Sequence, residues 1–174
     1  NLKIRKIKDT GSEPSQVTGL PKDAKIANVS WSPDDSKIAF TNTTGKGVEL
    51  WVIDVVTAAA KKLNEANLNG NLGSPFNWYT DSRHLLVKII PASRPTLIDP
   101  KKDLPKGPTV SVADGKVSQN RTYQDLLKNK TDEQNFETLI TSELYKMDLN
   151  GKKTLYKSKD LYGSQSFSPD GKFL

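Results

Sequence analysis

Chemistry in this sequence would have to be built from few parts. There is one histidine, His84, and no cysteine. The missing thiol removes disulfides, thiolate metal sites and a cysteine nucleophile. A serine–histidine–acid triad would have to form around His84, which stands in "WYTDSRHLLV" at 78–87, where a turn passes into a strand. The nearest string to a Gly-x-Ser-x-Gly elbow is "GSQSF" at 163–167, and it lacks the closing glycine. Asp34 and Asp35 are adjacent carboxylates, but Asp81 and Asp170 stand in similar strings. An acid that recurs in a turn serves the turn rather than calcium. "TGKG" at 44–47 lacks the spacing of a phosphate loop. The expectation is therefore no catalytic residue, no metal ligand and no cofactor in this chain. The residues suited to binding are Arg94, Arg121 and Tyr123. A guanidinium grips a carboxylate through two parallel hydrogen bonds. All three residues lie in a segment, 92–140, that interrupts an otherwise regular pattern, and they are the candidate substrate-binding groups.

That pattern is a repeat. "WSPDDSKIAF" at 31–40, "WYTDSRHLLV" at 78–87 and "FSPDGKFL" at 167–174 align. Each is an aromatic residue, a turn containing Asp, a polar residue and an apolar strand. Proline fixes φ near about −65°, aspartate bonds back to its own backbone, and glycine accepts a positive φ. The flanking apolar and aromatic residues make each copy a hairpin. A second element recurs: "ELWVID" at 49–54 and "ELYKMD" at 143–148. Its apolar residues fall on both faces, as in a strand buried on both sides. "TAAAKKL" and "LNGKKTLY" follow as turns into an outer strand. Trp31 and Trp78 are 47 residues apart, whereas Trp78 and Phe167 are 89 apart, and the excess falls in 92–140. A repeat of about 40–50 residues with four short strands is the signature of a β-propeller blade. The expected fold is all-β: a partial β-propeller over 1–174, with two to three four-stranded antiparallel blades and a loop-plus-short-helix insertion. Trp31, Trp51, Trp78, Tyr145 and Phe167 recur at equivalent positions and are expected in the core. Rings close with about four or more blades, so the sequence is expected to belong to a longer chain or to need other chains.

The insertion has its own character. "PASRPTLIDPKKDLPKGPTV" holds five of the ten prolines and reads as extended surface loop. "RTYQDLLKN" and "TDEQNFETLITSEL" read as two short helices. Thr131 and Gln134 have the spacing of a capping box, and Phe136, Leu139 and Ile140 can share a helix face. Propeller function usually resides on loops, so the insertion is where binding is expected.

Composition excludes other classes. The chain has 174 residues, 34% hydrophobic and 26% charged, with 26 Lys and Arg against 20 Asp and Glu. Its net charge is +6, but the cations are interleaved with acids. The dense run Lys3, Arg5, Lys6, Lys8 suits a strand with one wet face. Without a recognition motif, no nucleic-acid partner is expected. No apolar run approaches the roughly 18 residues of a membrane-spanning helix, so no span is expected. The opening "NLKIRKIKD" does not read as a signal peptide.

These strings carry a resemblance. The repeated "WSPDDSKIAF" unit followed by "ELWVID" resembles the N-terminal β-propeller of the prolyl oligopeptidase family of serine peptidases, and TolB-type propellers share it. "PTVSVADGKVSQNRTYQDLLKNKTDEQNFETLITSELYKMDLNG" at 108–151 is similar to the corresponding stretch of the glutamyl endopeptidases. "LPKDAKIANVSWSPDDSKIAF" at 20–40 resembles their first blades. The resemblance implies a C-terminal α/β-hydrolase domain whose Ser-Asp-His triad cleaves peptides after acidic residues. It implies a propeller that caps this site, limits access to short or unfolded peptides, and lends binding groups. No residue here matches the triad, so the chain itself is expected not to hydrolyse peptides. The implied partners are a peptide substrate, met through the hydrolase domain, and further blades that complete the ring. A periplasmic setting is the corresponding expectation. The alternative is a TolB-like propeller acting as a protein-interaction module.

Overall fold

A computed structural model describes residues 2–8, 11, 13–99, 107, 115 and 126–174. The chain divides into two compact units, Asn1–Ala92 with Ile140–Leu174, and Ser93–Leu139. The first unit opens with a short antiparallel pair, β1 (Lys3–Ile4) and β2 (Ser15–Gln16). A four-stranded sheet follows: β3 (Ile26–Trp31), β4 (Lys37–Thr44), β5 (Gly47–Asp54) and β6 (Ala59–Lys62), side by side in chain order. The second four-stranded sheet repeats the plan with β7 (Phe76–Trp78), β8 (His84–Ile89), β9 (Thr141–Asp148) and β10 (Lys153–Leu161). Each is an antiparallel meander, so each is a propeller blade, and the two do not close a ring. β4 and β5 pair from Lys37↔Asp54 to Thr44↔Gly47, and β8 and β9 from His84↔Asp148 to Ile89↔Glu143.

Alternation along the strands sorts the core. Ala39, Leu50 and Val52 of the first blade pack with Phe76, Trp78, Leu85, Val87, Ile89 and Met147 of the second. Ile38, Phe40 and Ile53 form a separate cluster, on the opposite face of the first blade, with Val17, Leu2 and Ile4. β4 and β5 are thus buried on both sides, which accounts for the unbroken apolar runs "IAF" and "LWVI".

The three turn copies have one geometry. Asp35, Ser82 and Gly171 occupy the same slot with φ of 60°, 56° and 70°. Their amides donate to the carbonyls of Ser32, Tyr79 and Ser168 at 2.9, 3.1 and 2.8 Å. The hairpin closes in each copy, from Ser32 N to Lys37 O, Tyr79 N to His84 O and Ser168 N to Phe173 O, at 2.9, 2.9 and 3.0 Å. The middle string is therefore a faithful turn despite lacking both Pro and Gly.

Two expectations are corrected. The second insertion helix is α1 (Lys130–Ile140), and "TSEL" belongs to β9. Thr141 and Ser142 pair with β10, and Glu143 and Leu144 pair with β8, so the blade ladder overrides the helical pattern. The cap is Asn129, whose Oδ1 accepts the Asp132 amide at 2.9 Å, rather than Thr131. Of "RTYQDLLKN", residues 121–125 lie outside the described residues and 126–129 are non-helical. Trp31 is the other correction: it is 50% exposed, while its equivalent Trp78 is 8% exposed. The difference lies in the neighbour, since a blade covers Trp78 and none covers Trp31.

Candidate functional site

The acids of the three turn copies are bound into their turns. Asp34 Oδ1 accepts from Ser32 Oγ at 2.7 Å, Ser36 Oγ at 2.9 Å and the Ser36 amide at 3.0 Å. The Ser32 hydroxyl, then the Ser36 donors, hold its carboxyl well below the usual range. Asp170 accepts from Ser168 Oγ at 2.6 Å and the Lys172 amide at 3.2 Å. Asp81 Oδ1 accepts the amides of Arg83 and His84 at 2.9 and 3.0 Å, and its Oδ2 lies 2.6 Å from His84 Nδ1. Burial pushes the Asp81 carboxyl up, but the Arg83 and His84 hydrogen bonds outweigh it and the net shift is downward. His84 is half-buried against Tyr79, edge to face at 6.3 Å, so it is less exposed than a free turn residue. Among the described residues no hydroxyl meets the imidazole. Among the described residues the acid–histidine pair therefore has no nucleophile beside it.

The recurring Glu-Leu-aromatic string is also structural. Residues two apart share a strand face. Glu49 Oε2 accepts from Trp51 Nε1 at 2.9 Å, and Glu143 Oε2 accepts from Tyr145 Oη at 2.9 Å. Glu49 also accepts from Asn42 Nδ2 at 3.0 Å and pairs with Lys62 at 3.5 Å. Burial raises its pKa, but these partners outweigh it and leave it below the usual value.

The binding candidates divide. Arg94 is half-buried in the second unit and makes no ion pair with a described residue. Arg121 and Tyr123 lie outside the described residues. Asn135 of α1 holds the stretch after Arg94. Asn135 Oδ1 accepts the Ile98 amide at 2.8 Å while its Nδ2 donates to the Ile98 carbonyl at 2.8 Å. An amide side chain thereby takes the place of a strand partner.

Lys88 was not singled out by sequence reasoning. It is 2% exposed on β8, with Nζ donating to the carbonyls of Leu72, Tyr162 and Gly163, the last at 3.3 Å. No carboxylate joins it among the described residues, and burial pushes its pKa down. The three carbonyls match the three ammonium donors. They come from the segments that lead into β7 and into the third turn copy, so the side chain ties one repeat to the next. The signal in sequence is a lysine inside the apolar run "LLVKII". No group of three potential metal ligands occurs among the described residues, and no helix among them is long and apolar enough to cross a membrane.

Comparison with known proteins follows the blades. No protein-family model matches the chain. It is 36% identical over 185 residues to the probable chloroplastic glutamyl endopeptidase of Oryza sativa subsp. japonica, covering 98% of this chain and 19% of that protein. It is 37% identical over 175 residues to the probable chloroplastic glutamyl endopeptidase of Arabidopsis thaliana, covering 95% of this chain and 18% of that protein. The chain thus spans about a fifth of the length of these relatives. TolB from Acinetobacter baumannii superposes with a TM-score of 0.48 at 18% identity, covering 93% of this chain and 28% of that one. Two meander blades with a repeated turn make the chain a propeller segment, and a match that runs through the insertion as well makes it similar to the corresponding part of the glutamyl endopeptidases.

Proposed function

We propose that this segment is the non-catalytic propeller part of a glutamyl endopeptidase-like serine peptidase. It gates peptide access to an α/β-hydrolase active site carried elsewhere in the protein, and it helps to position substrate there. The observation that carries this reading is the identity to two glutamyl endopeptidases over nearly the whole chain. The engagement of the turn acids and of His84 in local hydrogen bonds supports a role without chemistry of its own.

Positioning falls to the insertion. Arg94 and Arg121 are the candidates to meet a substrate carboxylate, with Tyr123 close to Arg121 in sequence. A charged group gripped by guanidinium is worth about 1.5–3 kcal/mol. Arg94→Glu or Arg121→Glu in the full-length peptidase is expected to lower kcat/KM for Glu-containing peptides about tenfold or more. Unchanged cleavage by both variants would sink this assignment.

A further inference from the structure

The stretch that carries Arg94 has few ties of its own. Leu97 is 47% exposed and Ile98 is 44% exposed, so apolar burial does not anchor it. Among the described residues no backbone–backbone hydrogen bond joins residues 93–99 to another segment. The hold comes from Asn135. Its Oδ1 accepts the Ile98 amide and its Nδ2 donates to the Ile98 carbonyl, both at 2.8 Å. In a hydrogen-bonded antiparallel pair, one residue exchanges the same two bonds with its partner. The carboxamide contacts main chain only, so the contact does not depend on the side chains at 97 and 98.

Asn135 itself stands on a fixed support. It lies near the middle of α1. At the first turn Asn129 Oδ1 accepts the Asp132 amide at 2.9 Å, while Asp132 Oδ2 accepts the Lys128 amide at 3.0 Å. These reciprocal bonds satisfy donors at the helix start. At the other end Ile140 passes straight into β9 at Thr141.

The path from this grip to the guanidinium is short and stiff. Only Pro95, Thr96 and Leu97 separate Ile98 from Arg94. Proline fixes its own φ and keeps the residue before it out of the helical region. Four residues of extended chain span about 13 Å. Where Asn135 holds Ile98 therefore limits where the Arg94 guanidinium can lie. Arg94 is half-buried, and no described residue makes an ion pair with it.

We propose that Asn135 is a positioning residue for substrate: its grip on the main chain of Ile98 sets Arg94 to meet a substrate carboxylate. Asn135 touches no substrate itself. The inference rests on Arg94 as the group that grips that carboxylate.

A double-mutant cycle in the full-length peptidase tests it, read as KM and kcat on a short Glu-containing peptide. Asn135→Ala removes both bonds and keeps α1, because alanine is the strongest helix former. It is expected to raise KM about five- to tenfold while kcat stays within about twofold. Arg94→Gln is expected to raise KM at least as much. Adding Asn135→Ala to Arg94→Gln is expected to raise KM no further, because the grip acts through the guanidinium. Additive effects would overturn the inference, and so would a fall in kcat with KM unchanged. A raised KM for Arg94→Gln beside a native KM for Asn135→Ala would overturn it and leave Arg94 as the substrate grip. A native KM for Arg94→Gln would overturn the substrate grip first, and this inference with it. Hydrogen exchange at the Ile98 amide checks the contact without catalysis. It is expected to quicken several-fold in Asn135→Ala, and an equal rate would overturn the hold.

Discussion

Asp54 and Lys88 show how charge is handled residue by residue. Asp54 accepts from the Thr57 amide at 2.9 Å and from Thr57 Oγ1 at 3.0 Å, and pairs with Lys37 at 3.0 Å. The Thr57 amide, then Lys37, hold its carboxyl down at about 2. A folded-state value below the usual 3.8 means that its contribution is complete above that pH and fades as pH falls towards about 2. Acid titration of unfolding is expected to show a shallower loss in this window for Asp54→Asn than for the native protein; identical acid limbs would contradict it. Lys88 is the opposite case, a buried cation whose partners among the described residues are all carbonyls. Lys88→Ala leaves a cavity and unpaired carbonyls and is expected to cost about 2–4 kcal/mol in urea unfolding. Lys88→Met restores the packing and is expected to cost about 1–2 kcal/mol. Equal stability of all three proteins would remove the tie between repeats. The apolar run "LLVKII" marks the lysine but not its partners, because the three acceptors are backbone atoms at positions 72, 162 and 163.

At the scale of elements, the hairpins were legible because their chemistry is local. Ser-Pro-Asp and a following left-handed residue specify the turn wherever they occur. The slot at 35, 82 and 171 allows a comparison within one molecule. Asp35 holds a φ of 60° that glycine adopts without strain. Asp35→Gly is expected to leave stability unchanged or to raise it by up to about 1 kcal/mol. Ser82→Gly is expected to gain nothing, because Ser82 Oγ accepts the Asp34 amide at 3.1 Å and links the two turns. Urea unfolding of the two variants decides, and a larger gain at Ser82 would contradict the account. Helix α1 was legible in existence but not in its ends. Asn129 competes with Thr131 for the cap, and the β8–β9 and β9–β10 ladders claim the residues after Ile140. The exposure of Trp31 could not be read from its string at all, since "WSPDDS" looks the same with or without a neighbour in front of it.

At the scale of the whole molecule, the chain comprises two blades and a separate insertion unit. The repeat made the blades readable, and a resemblance through the insertion made the similarity to the glutamyl endopeptidases readable. Of the candidate binding residues, Arg94 lies in the described structure, and Arg121 and Tyr123 do not. The central claim is that this propeller segment controls which peptides reach the hydrolase domain. Its most direct test replaces residues Ser93–Leu139 by a short turn in the full-length protein. Rates are then compared on a short Glu-containing peptide and on a folded protein containing the same site. The account predicts that the short peptide is still cleaved and that the ratio of folded-protein to peptide cleavage rises about tenfold or more, equivalent to about 1.4 kcal/mol of lost exclusion. A ratio identical to that of the native enzyme, with peptide cleavage intact, would contradict it.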